Sequence, residues 1–130
     1  MVVDSSALVA IWQREPDAPA LSDAAAAATC VMASATLLEV LMVALSRRGE
    51  AGRDEMLGLI DLLEIEVLAV DRDLALAASE AFRRYGKGRH RASLNFGDCF
   101  AYALARHLRQ PLLFKGDDFG HTDALPALTG

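Results

Sequence analysis

Short apolar runs alternate with longer segments of helical periodicity along the chain. The runs at residues 1–3 and 65–70 carry valine and isoleucine and are too short for helices, so they predict buried strands. In the longer segments apolar residues recur every three to four positions, which indicates helices with at least one buried face. The predicted strands are residues 1–3, 29–33, 65–70 and 112–114, the predicted helices are residues 5–13, 17–28, 34–48, 53–63, 71–85 and 95–109, and a short final element is predicted at 125–128.

Polar and glycine residues mark the ends of several of these elements. Ser34 and Asp71 each precede a helical segment and are predicted N-caps. The two glycines within residues 49–52 predict a break between the third and fourth helices. Either Asn95 or Gly97 begins the last helix, and the sequence leaves that choice open.

Apolar strands that alternate with helices predict an α/β fold with a parallel sheet covered by helices on both faces. The 130 residues contain no internal repeat and no interdomain linker, so we expect a single domain over residues 1–130. In sheets of this type, ligands bind outside the carboxyl ends of the strands. Functional residues are therefore expected where the strands end.

Composition and charge narrow the classes of partner. The hydrophobic fraction is 53% and the formal net charge is −5, so a polyanionic substrate would require local basic groups and a metal ion. Cys30 and Cys99 form no disulfide pattern and are expected to be buried thiols, which suits a reducing cytosol. Glu39 interrupts the densest apolar run, so we expect no membrane segment, and we also expect no export signal.

Four acidic residues stand where packing alone explains a carboxylate poorly. Asp4 and Asp117 each follow a predicted strand, Asp98 opens the last helix, and Glu39 lies about one turn into the third helix. If the fold brings them to one edge of the sheet, their repulsion requires a counter-charge. A hard divalent cation with oxygen ligands is the usual solution.

Each acid also has a structural explanation of its own. Asp4 can cap the first helix, and Asp98 can complement a helix dipole. Asp117 and Asp118 together can form an ordinary Asx turn after a strand. Glu39 differs, because its helix is apolar nearly all round and offers no Lys or Arg within one turn. A metal ion or a shared proton is the natural partner for Glu39.

A basic segment at residues 83–91 holds five of the thirteen Lys and Arg residues of the chain. A flexible, solvated loop explains it without a function. The functional interpretation is that Lys87, Arg89 and Arg91 hold a phosphate backbone beside the acidic site.

Four segments together resemble a known family. They are the opening residues 1–8, Glu39 within its helix, residues 94–105 around Asp98, and residues 111–119; residues 85–91 resemble a subgroup. The chain resembles the PIN-domain ribonucleases, specifically the VapC toxins of type II toxin–antitoxin systems. The resemblance implies a PIN-like three-layer α/β/α sandwich with a central parallel sheet, Mg²⁺ or Mn²⁺ held by carboxylates, homodimerisation, and endonuclease action on RNA.

The resemblance also implies roles for the acids. Asp4 and Asp98 match the principal metal ligands of the family, and Glu39 matches a third acid. Many members place an acid at the position of Gly116, so Asp117 or Asp118 is expected to substitute for it, or the fourth carboxylate acts only through water. This sequence also lacks the Thr that many members carry at Phe114.

The mechanism expected from this set is hydrolysis of an RNA phosphodiester by metal-activated water. Ser6 is expected to orient a ligand or to bind phosphate at a helix N-terminus. A phospho-acceptor receiver domain is an alternative, but Asp4 stands without an adjacent acid and only Asp71 follows a middle strand. A non-catalytic partner-binding domain with the same fold is a third possibility.

The helices at residues 5–13, 34–48 and 53–63 carry more apolar surface than one small sheet covers. Such surface predicts an interface, with a thick core as the alternative. The resemblance assigns it to a second copy of the chain and to a VapB antitoxin, whose amphipathic segment would lie in a groove near Trp12.

Overall fold

The computed structural model describes residues 1–128, and a parallel sheet lies at their centre. The central strand β1 pairs through Val2 with Val31 on one side and with Leu112 on the other. The predicted α/β fold with a central parallel sheet is therefore confirmed. The strands are β1 (Val2–Val3), β2 (Val31–Ala33), β3 (Glu66–Leu68) and β4 (Leu112–Leu113), in the order β3-β2-β1-β4.

Helices cover both faces of this sheet. Neighbouring residues of a strand point to opposite faces, so Val2 and Val3 enter different cores. Val3 packs with α1, α2 and α3, whereas Val2 packs with α4 and α5, which gives the predicted three layers. The helices are α1 (Ser5–Trp12), α2 (Ala18–Ala26), α3 (Ser34–Leu62), α4 (Arg72–Tyr85) and α5 (Phe96–Leu108), and a 3₁₀ turn spans Asp118–His121.

The long helix α3 is bent where the sequence predicts a break. Arg48 has φ −136° and Gly49 has φ +63°, a left-handed value that glycine adopts without steric cost. The helix resumes directly afterwards, so the break is shorter than the predicted residues 49–52. Gly52 lies within the second half, where an added Cβ would be 3.2 Å from the Trp12 ring.

Side-chain caps fix the starts of α4 and α5, whereas α3 begins without one. Asp71 is an N-cap, as predicted, and accepts a hydrogen bond from the Leu74 amide at 2.8 Å. Ser34 is instead the first residue of α3, and its hydroxyl accepts from the Val70 amide at 3.1 Å, which ties the chain after β3 to α3. Asn95 caps α5, so the open choice between Asn95 and Gly97 falls to Asn95.

The basic loop after α4 is closed at its base. The Leu94 amide donates to the Tyr85 carbonyl and the Lys87 amide donates to the Leu94 carbonyl, both at 2.9 Å. The His90 ring packs edge-on against Tyr85, with ring centroids 5.0 Å apart. The loop that we predicted as flexible therefore has hydrogen-bonded ends that fix where it enters α5.

The tail extends the sheet by one pairing. The Leu112 amide donates to the Leu125 carbonyl at 2.8 Å, and the Ala127 amide donates back to Leu112 at 2.9 Å. This pairing accounts for the short element predicted at 125–128. Of the predicted domain 1–130, Thr129 and Gly130 lie outside the described residues. No helix within residues 1–128 is long and apolar enough to cross a membrane.

Candidate metal centre

Asp4 divides its two carboxylate oxygens between two environments. It follows β1 and caps α1, where Oδ2 accepts from the Ser6 amide at 3.0 Å and from the Ser6 hydroxyl at 2.6 Å. Oδ1 is buried and has no hydrogen-bond partner within residues 1–128. Only 1% of Asp4 is exposed, and buried polar atoms normally have a hydrogen-bond partner. This oxygen is therefore available to bind a cation.

Ser6 connects Asp4 to the end of β4. Its hydroxyl donates to Asp4 and accepts from the Lys115 amide at 3.0 Å. The Lys115 ammonium points to other acids, lying 2.8 Å from Glu15 and 3.3 Å from Asp17. These hydrogen bonds hold the carboxyl ends of β1 and β4 together. The Lys115 charge pairs with Glu15 and Asp17 and not with Asp4.

Asp98 is fixed by the first turn of α5. Its Oδ2 accepts from the Asn95 amide at 3.0 Å, and its own amide donates to the Asn95 side chain at 2.9 Å. This reciprocal capping box is a standard start for a helix. It holds the Asp98 carboxylate at the N-terminus of α5, where the helix dipole favours negative charge.

Glu39 lies in the second turn of α3 and faces α5. A Cβ added to Gly97 would be 2.6 Å from the Glu39 Cδ, so the carboxylate lies directly against the first turn of α5. Glu39 Oε1 is buried without a hydrogen-bond partner among the described residues. None of the ion pairs found in the described part of the chain includes Asp4, Glu39 or Asp98.

We call the carboxylates of Asp4, Glu39 and Asp98 the acidic pocket, because the charge of each one raises the pKa of another. Burial raises the pKa of Asp4 to about 6, the charge of Glu39 adds to this, and the Ser6 hydrogen bonds oppose it. Burial also raises the pKa of Asp98 to about 6, with a further increase from Asp4. The pKa of Glu39 is raised by burial and by Asp98, while Ser5 lowers it. The pocket thus favours protons or a cation.

The two candidates for the fourth acid, Asp117 and Asp118, differ in how their charges act on the acidic pocket. The charge of Asp118 helps to raise the pKa of Asp98. Asp117 and Asp118 are both exposed, but Asp117 is not among the charges that shift the pKa values of Asp4, Glu39 and Asp98. A role for Asp117 therefore stays a prediction, and Asp118 is the acid whose charge acts on the pocket.

The donor chemistry of the pocket suits a hard divalent cation. Its donors are carboxylate oxygens, and two of them, Asp4 Oδ1 and Glu39 Oε1, are buried without partners among residues 1–128. Within that range no set of three or more Asp, Glu, His or Cys side chains is arranged to hold one ion directly. Mg²⁺ usually keeps several waters and needs only one or two direct carboxylates, so the residues fit such an ion.

The predicted RNA-binding residues lie on the loop that leads into α5. Lys87, Arg89 and Arg91 are all exposed, and the loop closes at Leu94, one residue before the cap of α5. The Arg89 guanidinium lies over the Phe82 ring at 5.8 Å, which leaves it on the surface. Ser6, the fourth predicted contact, is already bonded to Asp4 and Lys115, consistent with its alternative role of orienting a ligand.

An apolar face lies beside the pocket. Leu38 and Met42 belong to the helix whose excess apolar surface the sequence predicted, whereas the contribution of Phe96 was not foreseen. Phe96 is 79% exposed, Leu38 is 61% exposed and Met42 is 59% exposed, and together they line a groove of about 520 Å³ between α3 and α5. Glu39 forms part of the same groove. The available signal was a phenylalanine at the first position of a helix, directly before the Gly97-Asp98 pair. We call Leu38, Met42 and Phe96 the apolar face.

The predicted site near Trp12 is a surface cavity of mixed character. The Trp12 ring nitrogen donates to Glu55 at 3.0 Å, and Arg48 pairs with the same carboxylate at 3.0 Å. Arg14 and Glu15 also line this cavity, which has a volume of about 690 Å³. Trp12 therefore joins α1 to the second half of α3.

Comparison with known sequences identifies the family. The PIN-domain family model matches residues 1–125. A ribonuclease VapC of Mycolicibacterium smegmatis is 52% identical over 124 residues, which cover 95% of this chain and 96% of the relative. Ribonuclease VapC30 of Mycobacterium tuberculosis is 49% identical over 124 residues, or 95% of each chain. The chain belongs to the PIN-domain family, and within that family to the VapC group.

Solved structures agree with this assignment at the level of the fold. VapC20 of Mycobacterium tuberculosis, a sarcin–ricin loop cleaving toxin, superposes with a TM-score of 0.75 over 95% of both chains, at 17% identity. VapBC2 of Rickettsia felis, bound to a DNA fragment from its promoter, gives a TM-score of 0.72 over 96% of this chain and 94% of the other, at 15% identity. The predicted PIN-like architecture is confirmed, and the receiver-domain alternative does not match it.

Proposed function

We propose that this protein is a Mg²⁺-dependent endoribonuclease and the toxin of a type II toxin–antitoxin pair. Relatives that are 52% and 49% identical over nearly the whole chain are named VapC ribonucleases. The single observation that carries the metal-dependent part is Asp4 Oδ1, a buried carboxylate oxygen that lacks a partner within residues 1–128. Two further acids share its pocket, and the described residues supply no cation to it.

The residues of the pocket have distinct roles in this proposal. Asp4 and Asp98 hold the cation, while Glu39 and a fourth acid act directly or through water. Of the two candidates for the fourth acid, we favour Asp118 over Asp117, because its charge acts on Asp98. Mn²⁺ is expected to substitute for Mg²⁺, since both accept oxygen ligands.

The chemistry follows from charge. A bound Mg²⁺ makes a neighbouring water more acidic and offsets the charge that builds on the phosphate oxygens. Ser6 holds the Asp4 carboxylate in one orientation, with Oδ1 left free. The capping box does the same for Asp98. The protein thus supplies fixed carboxylates, which avoids a cost of reorganisation during the reaction.

RNA binding is assigned to the basic loop. Lys87, Arg89 and Arg91 are exposed in a chain with a net charge of −5, so they are the local positive charge available near the start of α5. Arginine and lysine contacts to phosphates fix the position of a nucleic acid without reading its sequence. We propose that this loop holds the RNA backbone while the acidic pocket faces the scissile phosphate.

Two protein partners belong to the proposal. The apolar face of Leu38, Met42 and Phe96 is assigned to a second copy of the chain, because contiguous exposed apolar surface marks interfaces. The cavity at Trp12 is assigned to a VapB-type antitoxin, whose amphipathic segment would lie along α1. Both free cysteines are buried thiols, which is consistent with the cytoplasmic location expected for this activity.

Cleavage of RNA tests the proposed function. The purified protein is incubated with total RNA in Mg²⁺ or in EDTA, and new 5′ ends are sequenced. Specific cleavage is expected in Mg²⁺ only, and Asp98→Asn is expected to lower the rate by at least about 100-fold, because it removes a charged ligand. If Asp98→Asn keeps the metal-dependent rate, the assignment is wrong. A non-catalytic PIN-fold protein, the remaining alternative, would release no new ends.

A further inference from the structure

The second residue of α5 is a glycine that the backbone does not require. Glycine is less favourable than alanine inside a helix. Gly97 is not in the left-handed region, which among the glycines of the described chain holds only Gly49, Gly88 and Gly116. A reason other than backbone conformation must therefore account for glycine at this position.

Space beside the acidic pocket supplies that reason. If Gly97 carried a Cβ, the three nearest atoms would all belong to the Glu39 carboxylate, with Cδ and Oε1 both at 2.6 Å. Gly52 is a useful contrast, because a Cβ there would be 2.5 Å from the backbone oxygen of Ala44. Gly52 allows two helical segments to pack closely, whereas Gly97 leaves room for one charged group.

The room at Gly97 determines where the Glu39 carboxylate lies. The first turn of α5 has backbone N–H groups without helical partners, and its dipole favours negative charge. Asp98 is the next residue, and its charge acts on Glu39. Glu39 Oε1 is buried and without a hydrogen-bond partner among residues 1–128, so it remains available.

We propose that Gly97 is a positioning residue: because it has no side chain, the Glu39 carboxylate lies against the first turn of α5, beside Asp98, where it acts on the divalent cation. This inference rests on the proposed function, since it requires the acidic pocket to bind a cation. It adds a residue that itself offers no ligand atom. Alanine at this position turns the Glu39 carboxylate away from the pocket.

Gly97→Ala tests the proposal through metal affinity rather than activity. The atoms in collision are the end of a side chain that can rotate, so the variant folds with a melting temperature close to that of the unaltered metal-free protein. Titration with Mn²⁺ by calorimetry is expected to show a Kd at least about tenfold weaker, as for other groups that orient ligands. Gly58→Ala is the matched control, because it makes the same change in α3 with nothing within 4 Å; its Kd stays within twofold.

A double-mutant cycle with Glu39→Ala separates positioning from general packing. Once the carboxylate is removed, Gly97→Ala is expected to change the Mn²⁺ Kd by less than twofold. An equal loss of affinity in both backgrounds overturns the proposal, as does an unchanged Kd in Gly97→Ala alone. Failure of Gly97→Ala to fold also contradicts it. If the unaltered protein binds no Mn²⁺, both the proposed function and the role of Gly97 fail. If it binds Mn²⁺ and Gly97→Ala binds it equally well, only the role of Gly97 fails.

Discussion

The Ser6 hydroxyl donates to Oδ2 of Asp4 at 2.6 Å, while Oδ1 of the same carboxylate is buried and has no partner within residues 1–128. Capping of α1 and binding of a cation are therefore not alternatives for Asp4. Oδ2 caps the helix, and Oδ1 remains free to bind a cation. The structural role fixes the carboxylate, and the fixed carboxylate suits the proposed chemical role.

Ser6→Ala is expected to destabilise the protein. The change removes the bond to Asp4 and leaves the Lys115 amide without its acceptor. Loss of two partly buried hydrogen bonds, one of them to a carboxylate, costs about 1–3 kcal/mol. Urea unfolding measures the free energy, and Ser6→Thr, which keeps the hydroxyl, is the control. Equal stability of Ser6→Ala and the unaltered protein would show that the Ser6 hydrogen bonds to Asp4 and Lys115 contribute nothing to the free energy of unfolding.

Stability without metal is expected to fall as the pH rises from about 4 to above 6. Burial raises the pKa of Asp4 from 3.8 to about 6, so the folded chain still holds a proton that the unfolded chain has released. The unfolded state then binds fewer protons, and the free energy of unfolding decreases with pH in this window. Asp98 acts in the same direction.

Asp4→Asn is the variant that tests this pH dependence. At pH 7.5 in EDTA we expect it to be more stable than the unaltered protein by about 1–3 kcal/mol, because the amide needs no proton to be buried. At pH 4 the difference is expected to be much smaller. Urea unfolding at both pH values provides the measurement. A variant that is less stable at pH 7.5 would indicate that the Asp4 charge is compensated inside the metal-free fold.

The fourth acid is tested with two neighbouring substitutions. Asp118→Asn is expected to weaken Mn²⁺ binding by about 5- to 10-fold, because the charge of Asp118 acts on Asp98. Asp117→Asn makes the same chemical change one residue away, where the charge does not shift the pKa values of the pocket, and is expected to stay within twofold. Calorimetric titration of both variants measures the effect. The reverse order would support Asp117 as the fourth ligand.

Dimerisation through the apolar face is tested with Met42→Glu. Met42 is more than half exposed beside Leu38 and Phe96, and a charge there would oppose burial in an interface. Sedimentation velocity is expected to show a dimer for the unaltered protein and a monomer for Met42→Glu. Leu62→Glu is the control, because Leu62 is 79% exposed and does not line the groove. Identical sedimentation of the two variants would place the interface elsewhere.

The order of the strands and helices could be predicted from the sequence because the hydrophobic period changes between them. The structure differs from the predicted boundaries where a residue that can cap a helix forms a tertiary hydrogen bond instead. Ser34 is a residue type that commonly caps helices, but its hydroxyl accepts a hydrogen bond from the Val70 amide, which follows β3. That contact depends on tertiary structure, which the local pattern does not contain.

The candidate site was predictable in part. Asp4, Glu39 and Asp98 share one pocket because parallel strands end at one edge and α5 begins there. The choice between Asp117 and Asp118 depends on how the 3₁₀ turn after β4 is oriented, and both residues look alike in sequence. The contact between Gly97 and Glu39 joins residues 58 positions apart, so it was accessible only from the structure.

The most direct test of a cation site is a crystal of the protein soaked in Mn²⁺ and measured at the manganese absorption edge. An anomalous peak is expected between the Asp4 and Asp98 carboxylates, at about 2.0–2.3 Å from Oδ1 of Asp4, with water completing the coordination. Asp4→Asn crystals treated in the same way are expected to lose the peak. No peak in the acidic pocket of the unaltered protein, or a peak only at other surface acids, would contradict a metal-dependent nuclease.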